Sequence, residues 1–281
     1  GYFPDFSKNS ADPQRDVAQK QPRFIEILLE FIISPLALAL TVVLLIWSGK
    51  TALTGEQVPF MRLSSIAAGF ATVGLWLHIM VTHGKSGISG FHRKIFPFAA
   101  IIILIFEASA LLIQIEKWGI KTDEYFFILI WILTTASVIL FIIMKNRAHV
   151  VIAALVCVLA VFSVFPALGY HVLPVKLQAA RLEKLLLSEG MLKDGVIVPA
   201  ASEPERPKKE AITDAVNYLA YSEKVKLPSW FGERLNESNV FQREFGFAQS
   251  WPDSDPDNRP GDYVGTYLSL PSGAIDISRY H

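Results

Sequence analysis

The chain has 281 residues, of which 52% are hydrophobic and only 19% charged, against about 25% charged in soluble domains. Its mean hydropathy is +0.37. Its 26 Lys and Arg equal its 26 Asp and Glu, which leaves no basic excess with which to hold nucleic acid. One cysteine, Cys157, excludes a disulfide framework and a thiolate metal cage. Its place in an apolar run predicts a buried, inert thiol.

Residues 1–23 contain Pro, Asp, Lys and Arg without a hydrophobic core, so they are not a signal peptide. The chain opens on Gly1 and ends on His281 inside a predicted strand, so a fragment of a longer protein is expected. Five long apolar runs follow, at residues 31–49, 63–81, 95–115, 125–144 and 150–173. Only His78, Glu107 and His171 bring an imidazole or a charged side chain into them. A bilayer core of about 30 Å is crossed by roughly 20 helical residues. Lipid offers backbone amides no water, so such runs are obliged to be helical.

The expected fold is therefore a polytopic α-helical membrane protein with about five transmembrane helices in a bundle over residues 24–173. A small C-terminal α+β domain over residues 174–281 follows. Pro35 and Pro97 are expected near helix ends, and Pro166 to kink the fifth span. Trp47, Trp118 and Tyr125 fall at predicted boundaries, where amphipathic rings favour the headgroup zone. Lys8, Arg15, Lys20, Arg23, Lys85, Arg93, Lys94, Lys145 and Arg147 lie on one side, against Lys50, Arg62, Lys117 and Lys121 on the other. That asymmetry predicts a cytoplasmic N-terminal segment and an extracytoplasmic C-terminal domain.

In the polar half, Val175, Ala179, Leu182, Leu185 and Leu186 recur at helical spacing, with Gly190 as the C-terminal cap. Asp194-Gly195 reads as a turn before Val196. Residues 200–210, rich in Pro, Glu and Lys, read as an exposed linker. A helix is expected from about Glu210, with Ile212, Val216 and Leu219 on one face. Trp230, Phe231, Phe241, Phe245 and Phe247 supply aromatic bulk for a small core. Residues 263–269 and 274–280 read as strands of a hairpin.

The candidate polar site inside the bundle centres on Glu107, because an ionised side chain there costs at least ~2.5 kcal/mol. An antiparallel fourth helix would bring Thr134, Thr135 and Ser137 to similar depth, and Ser163 of the fifth span is expected near mid-bilayer. A carboxyl group with hydroxyl neighbours can relay protons or bind a polar ligand. A protonated Glu serving only packing is the plainer reading, and the weight lies with it. His78, His83 and His92 lack a carboxylate or cysteine at ligand spacing, so solvated interfacial histidines are expected and no metal site. Gly84-Lys85-Ser86 lacks the remaining phosphate-loop pattern. Asp253, Asp255 and Asp257 lack the later ligands of a calcium loop. Trp230, Phe231 and Trp251 serve a core more readily than a ligand platform. No cofactor is implied.

Three stretches carry a resemblance. The first is residues 113–125, IQIEKWGIKTDEY, an aromatic-Gly-aliphatic helix end leading through a polar turn into the next span. The second is residues 175–195, VKLQAARLEKLLLSEGMLKDG, with Gln178, Arg181, Leu182, Glu183, Leu186, Gly190, Asp194 and Gly195 at the patterned positions. The third is residues 274–281, AIDISRYH. Together they resemble the bacterial membrane proteins grouped as domain of unknown function 4153. The resemblance implies an inner-membrane location and a multi-pass fold with further spans upstream, and brings no reaction. The partners expected are the lipid bilayer and, outside the cytoplasm, an envelope protein or a small polar ligand. A non-enzymatic envelope sensor or scaffold is the leading functional expectation. A transporter or proton-coupled permease using Glu107 is the alternative.

Overall fold

A computed structural model of the chain describes residues 22–54, 60–82, 86–222 and 225–252. His83, Gly84, Lys85, the acidic loop of Asp253, Asp255 and Asp257, and the hairpin expected over residues 263–280 lie outside them. So does nearly all of the N-terminal segment.

The described chain is mostly helical. Helix α1 runs Arg23–Thr54 and α3 runs Gly87–Trp118, each 32 residues, while α4 spans Thr122–Met144. These three are long and apolar enough to cross a membrane. Between and after them come α2 (Phe60–Met80) and α5 (Ala148–Val164). Their apolar stretches, Ser64–Met80 and Ala148–Val164, are shorter.

Helix α1 shows how the bundle is built. Its buried residues from Ser34 on are Ser34, Ala37, Thr41, Leu44, Ser48 and Thr51, two interleaved seven-residue repeats of mostly small side chains. Such a seam lets backbones approach closely, which is how helices associate where water supplies no drive. The opposite face carries Leu36 at 68% and Ile46 at 68% exposure. Thr41 returns its hydroxyl to the Ala37 carbonyl at 2.7 Å, so its polarity is satisfied within the helix.

Neither Pro35 nor Pro97 lies at a helix end, contrary to expectation. Both stand inside longer helices. Pro35 has no amide proton for the preceding turn, and the turn ahead of it, Leu28–Ile33, is π-helical. There the amide and the hydroxyl of Ser34 both donate to the Leu29 carbonyl, the hydroxyl at 2.8 Å. Gly74 of α2 is required for close packing, since a Cβ there would lie 2.2 Å from the Phe96 ring of α3.

The fifth apolar run does not kink at Pro166; it stops before it. Phe165 is extended, at φ −63° and ψ 135°, as the residue before a proline tends to be. The connector then folds back, with the Tyr170 amide on the Ser163 carbonyl at 2.8 Å. Gly169 sits so close to the Phe165 and Ser163 carbonyls that a Cβ would come within 2.6 and 2.8 Å of them. Cys157, expected to be buried, is exposed on α5.

After this connector come α6 (Leu173–Ser188), a hairpin of β1 (Leu192–Lys193) and β2 (Val196–Ile197), α7 (Arg206–Ala220) and α8 (Ser238–Phe245). Gly190, at φ +66°, closes α6 as expected, and the Met191 amide reaches back to the Leu186 carbonyl at 2.8 Å. Asp194 and Gly195 both have positive φ, at 50° and 75°, the geometry a two-residue hairpin prefers. The pairing is antiparallel, Leu192 with Ile197 and Lys193 with Val196. Helix α7 begins at Arg206, so part of the expected linker is helical, and Pro207 stands in its first turn where no amide partner is lost.

The core of this domain is ordinary for a water-soluble fold. Leu182, Leu186, Ile212, Leu219, Phe241 and Phe245 are fully buried, and Phe247 nearly so. Trp230 and Phe231 pack against that core, while Trp251 is half exposed.

Candidate functional site

Glu107 is 3% exposed on the buried face of α3. Two hydrogen bonds set the register of α3 against α4: Gln114 Nε2 to Glu124 Oε1 at 2.8 Å, and Trp131 Nε1 to the Leu104 carbonyl at 3.0 Å. That register puts Glu107 about level with Trp131. Thr134 and Ser137 then lie roughly one and two helical turns further from the α3–α4 turn, at about 5.4 Å per turn. The Thr134 hydroxyl donates to the Ile130 carbonyl at 2.8 Å. The hydroxyls of Thr135 and Ser137 are buried without a partner among the described residues. Among the described residues none of these hydroxyls is hydrogen-bonded to Glu107. Ser163 is not at mid-helix either. It lies one residue from the end of α5 and donates to the Ala160 carbonyl at 2.7 Å.

His78 and His92 are not solvated, contrary to expectation. His92 is fully buried and His78 is 9% exposed. His78 stacks on Phe141 with ring centroids 3.9 Å apart, and His92 stacks on Phe96 at 5.3 Å. Both nitrogens of His92 and Nδ1 of His78 lack a partner among the described residues. His149, which the sequence reading passed over, comes in from α5 and meets the Thr82 hydroxyl at 3.3 Å. Among the described residues no three metal-ligating side chains are gathered.

The most developed polar constellation lies at the other end of the bundle, where the α3–α4 turn docks on α6 and α7. The last carbonyls of any helix lack partners inside it. Here α6 supplies them from outside: Gln178 Nε2 donates to the Trp118 carbonyl at 2.8 Å, and Arg181 Nη2 to the Lys117 carbonyl at 2.6 Å. A cation at this end also opposes the negative pole of the helix dipole. Burial pushes the Arg181 guanidinium below its usual range, partly offset by nearby Asp214. Gly119, at φ +71°, leaves no room for a Cβ, which would meet Arg181 Cδ and Gln178 Nε2 at 2.8 Å each.

Next to this dock, the start of α4 is tied to α7. Lys121 Nζ donates to Asp214 Oδ1 at 2.6 Å, and the hydroxyls of Thr122 and Tyr218 meet at 2.9 Å. Lys121 also gives its backbone amide to Glu124 Oε2 at 3.0 Å, which caps α4. Burial raises the Tyr218 phenol above its ordinary value, so it stays neutral and can share its proton with Thr122.

These ties border a cleft of about 470 Å³, lined by Lys121, Tyr170, His171, Asp214, Tyr218 and Tyr221 among others. Its size is in the range of small-ligand sites. None of these residues was singled out from the sequence for a site. A signal was present all the same: Asp214, Asn217, Tyr218 and Tyr221 recur at i, i+3, i+4 and i+7, a polar stripe opposite the buried face of α7. What periodicity did not supply was the opposing wall, contributed by the α3–α4 turn and the α5–α6 connector. No protein family, curated protein or solved structure matches the chain.

Proposed function

We propose that this chain is a five-span bacterial inner-membrane protein whose extracytoplasmic domain senses a small polar ligand in the cleft at the foot of α7. The carrying observation is that the cleft has walls from both bodies: Lys121 from the bundle against Asp214 and Tyr218 from the domain. A ligand seated there touches the α3–α4 turn directly, so occupancy and bundle geometry are linked by contact. Two features support five spans: α2 and α5 hold the apolar stretches Ser64–Met80 and Ala148–Val164, and five antiparallel crossings return the chain to the side that α6 requires. Kinship with domain of unknown function 4153 belongs to the same proposal, and the packing of Gln178 and Arg181 on Lys117 and Trp118 supports it.

A second reading, proton-coupled permeation, rests on Glu107, a carboxyl held 3% exposed in the interior of α3. It is the weaker one, because the neighbouring hydroxyls are not joined to that carboxyl. Two measurements test the pair. Tyr221→Cys should react with a membrane-impermeant maleimide on intact cells, and exclusive labelling in inverted vesicles would sink the sensor reading. Glu107→Gln should leave proton flux across proteoliposomes unchanged, whereas abolished flux would transfer the weight to permeation.

A further inference from the structure

The proposed sensing site has neighbours that specify the chemistry of its ligand, and this inference rests on that reading. The mouth of the cleft runs into apolar surface. Tyr170, on its wall, packs against Phe126 with ring centroids 5.3 Å apart. The Tyr125 hydroxyl donates to the Leu168 carbonyl at 3.0 Å, holding the connector against the start of α4. Phe126, Phe165 and Leu168 are themselves exposed, at 40%, 50% and 40%. A polar cleft thus opens beside a strip of exposed hydrocarbon at the end of the apolar helices, and an amphiphile suits both halves at once.

Charge narrows the headgroup further. The wall offers one ammonium, Lys121, one carboxylate, Asp214, and the imidazole of His171, with no excess of either sign. An anionic headgroup would bring a second negative charge to a wall whose one ammonium, Lys121, is shared with Asp214 at 2.6 Å, whereas a zwitterion carries its own cation. A zwitterion meets no such penalty. Lys121 has donors left beyond the one given to Asp214. The rings of Tyr218 and the 74% exposed Tyr221 offer π faces of the kind that hold ammonium groups.

We infer that the cleft seats the headgroup of a zwitterionic aminophospholipid. Its phosphate lies toward Lys121 and His171, its ammonium toward Tyr218 and Tyr221, and its acyl chains along Phe126, Phe165 and Leu168.

The test uses the full chain, delipidated in a maltoside detergent. It is titrated in turn with dihexanoyl-phosphatidylethanolamine, dihexanoyl-phosphatidylglycerol and chain-free glycerophosphoethanolamine, and binding is followed by calorimetry. Saturable binding of the first is expected, with the glycerol lipid and the chain-free headgroup each weaker on the order of tenfold. Tyr221→Ala should weaken it by a comparable factor, because its ring is exposed and supports no core. His171→Ala should do the same through the phosphate. Equal affinity for the glycerol lipid, or binding that both variants leave unchanged, overturns the inference. Equal affinity for the chain-free headgroup overturns the lipid assignment while leaving a ligand-binding cleft intact. Cytoplasmic labelling of Tyr221→Cys would instead remove the sensing reading itself.

Discussion

Helices α1 and α7 both present one face inward and one outward, but in opposite senses. Helix α1 turns Ser34, Thr41, Ser48 and Thr51 inward and leaves Leu36 and Ile46 outside. Helix α7 buries Ile212, Val216 and Leu219 and sends Asp214, Asn217 and Tyr221 outward. The outward apolar face of α1 is compatible with lipid, and the outward polar face of α7 with water. The change from one to the other falls at the α3–α4 turn and the α5–α6 connector. Polar groups of both regions meet there, and the cleft lies there.

The comparison can be broken or sharpened by substitution. The largest effect is expected in the domain core. Phe241→Ala removes a fully buried ring packed against Phe245 at 4.6 Å between centroids and should cost about 3–5 kcal/mol. Denaturant unfolding followed by hydrogen exchange in α6, α7 and α8 measures it, and a loss below about 1 kcal/mol would mean that this domain is not held by apolar burial. Next comes a paired charge insertion. Ile46→Lys, on the outward face of α1, should cost at least ~2.5 kcal/mol of membrane insertion and deplete the pelleted fraction. Val196→Lys, 61% exposed in β2, should stay within about 0.5 kcal/mol of the parent. If both are neutral, α1 faces water after all.

The smallest effect is in pH dependence. The Tyr218 phenol is held above its ordinary value of 10.0, first by burial, so the folded state keeps a proton that the unfolded chain releases. Its contribution to stability is complete below the unfolded value and is lost as pH rises through the folded one. Unfolding midpoints should therefore fall as pH rises above the unfolded value of 10.0 in the parent, and less steeply in Tyr218→Phe. An unchanged slope would detach the phenol from the junction it shares with Thr122.

How far the sequence foretold this structure depended on the range of the interactions involved. The apolar runs, the Gly190 cap, the Asp194-Gly195 turn and the aromatic core of Phe241, Phe245 and Phe247 follow from neighbours a few residues apart, and each was legible. Pro35 and Pro97 were misplaced because helix ends were drawn where hydropathy fell, although the helices continue through polar residues such as Glu30 and Arg93. Local hydrophilicity predicts a solvated His78 and His92 because it says nothing about which helix will cover them. Glu107 is 3% exposed in α3, but which hydroxyls share its depth depends on register, and register is set by Gln114–Glu124 and Trp131–Leu104.

Local composition and periodicity by themselves determined that this chain has a long apolar helical half and a compact polar one, because the transfer cost of side chains is paid residue by residue. Only the tertiary structure decided that Gln178 would cap Trp118 across 60 positions and Lys121 would meet Asp214 across 93. The physical reason is that orphaned helix-end carbonyls and buried charges specify the kind of partner they need without specifying where in the chain it comes from. The cleft, made wholly of such long-range meetings, could be seen only once the chain was folded.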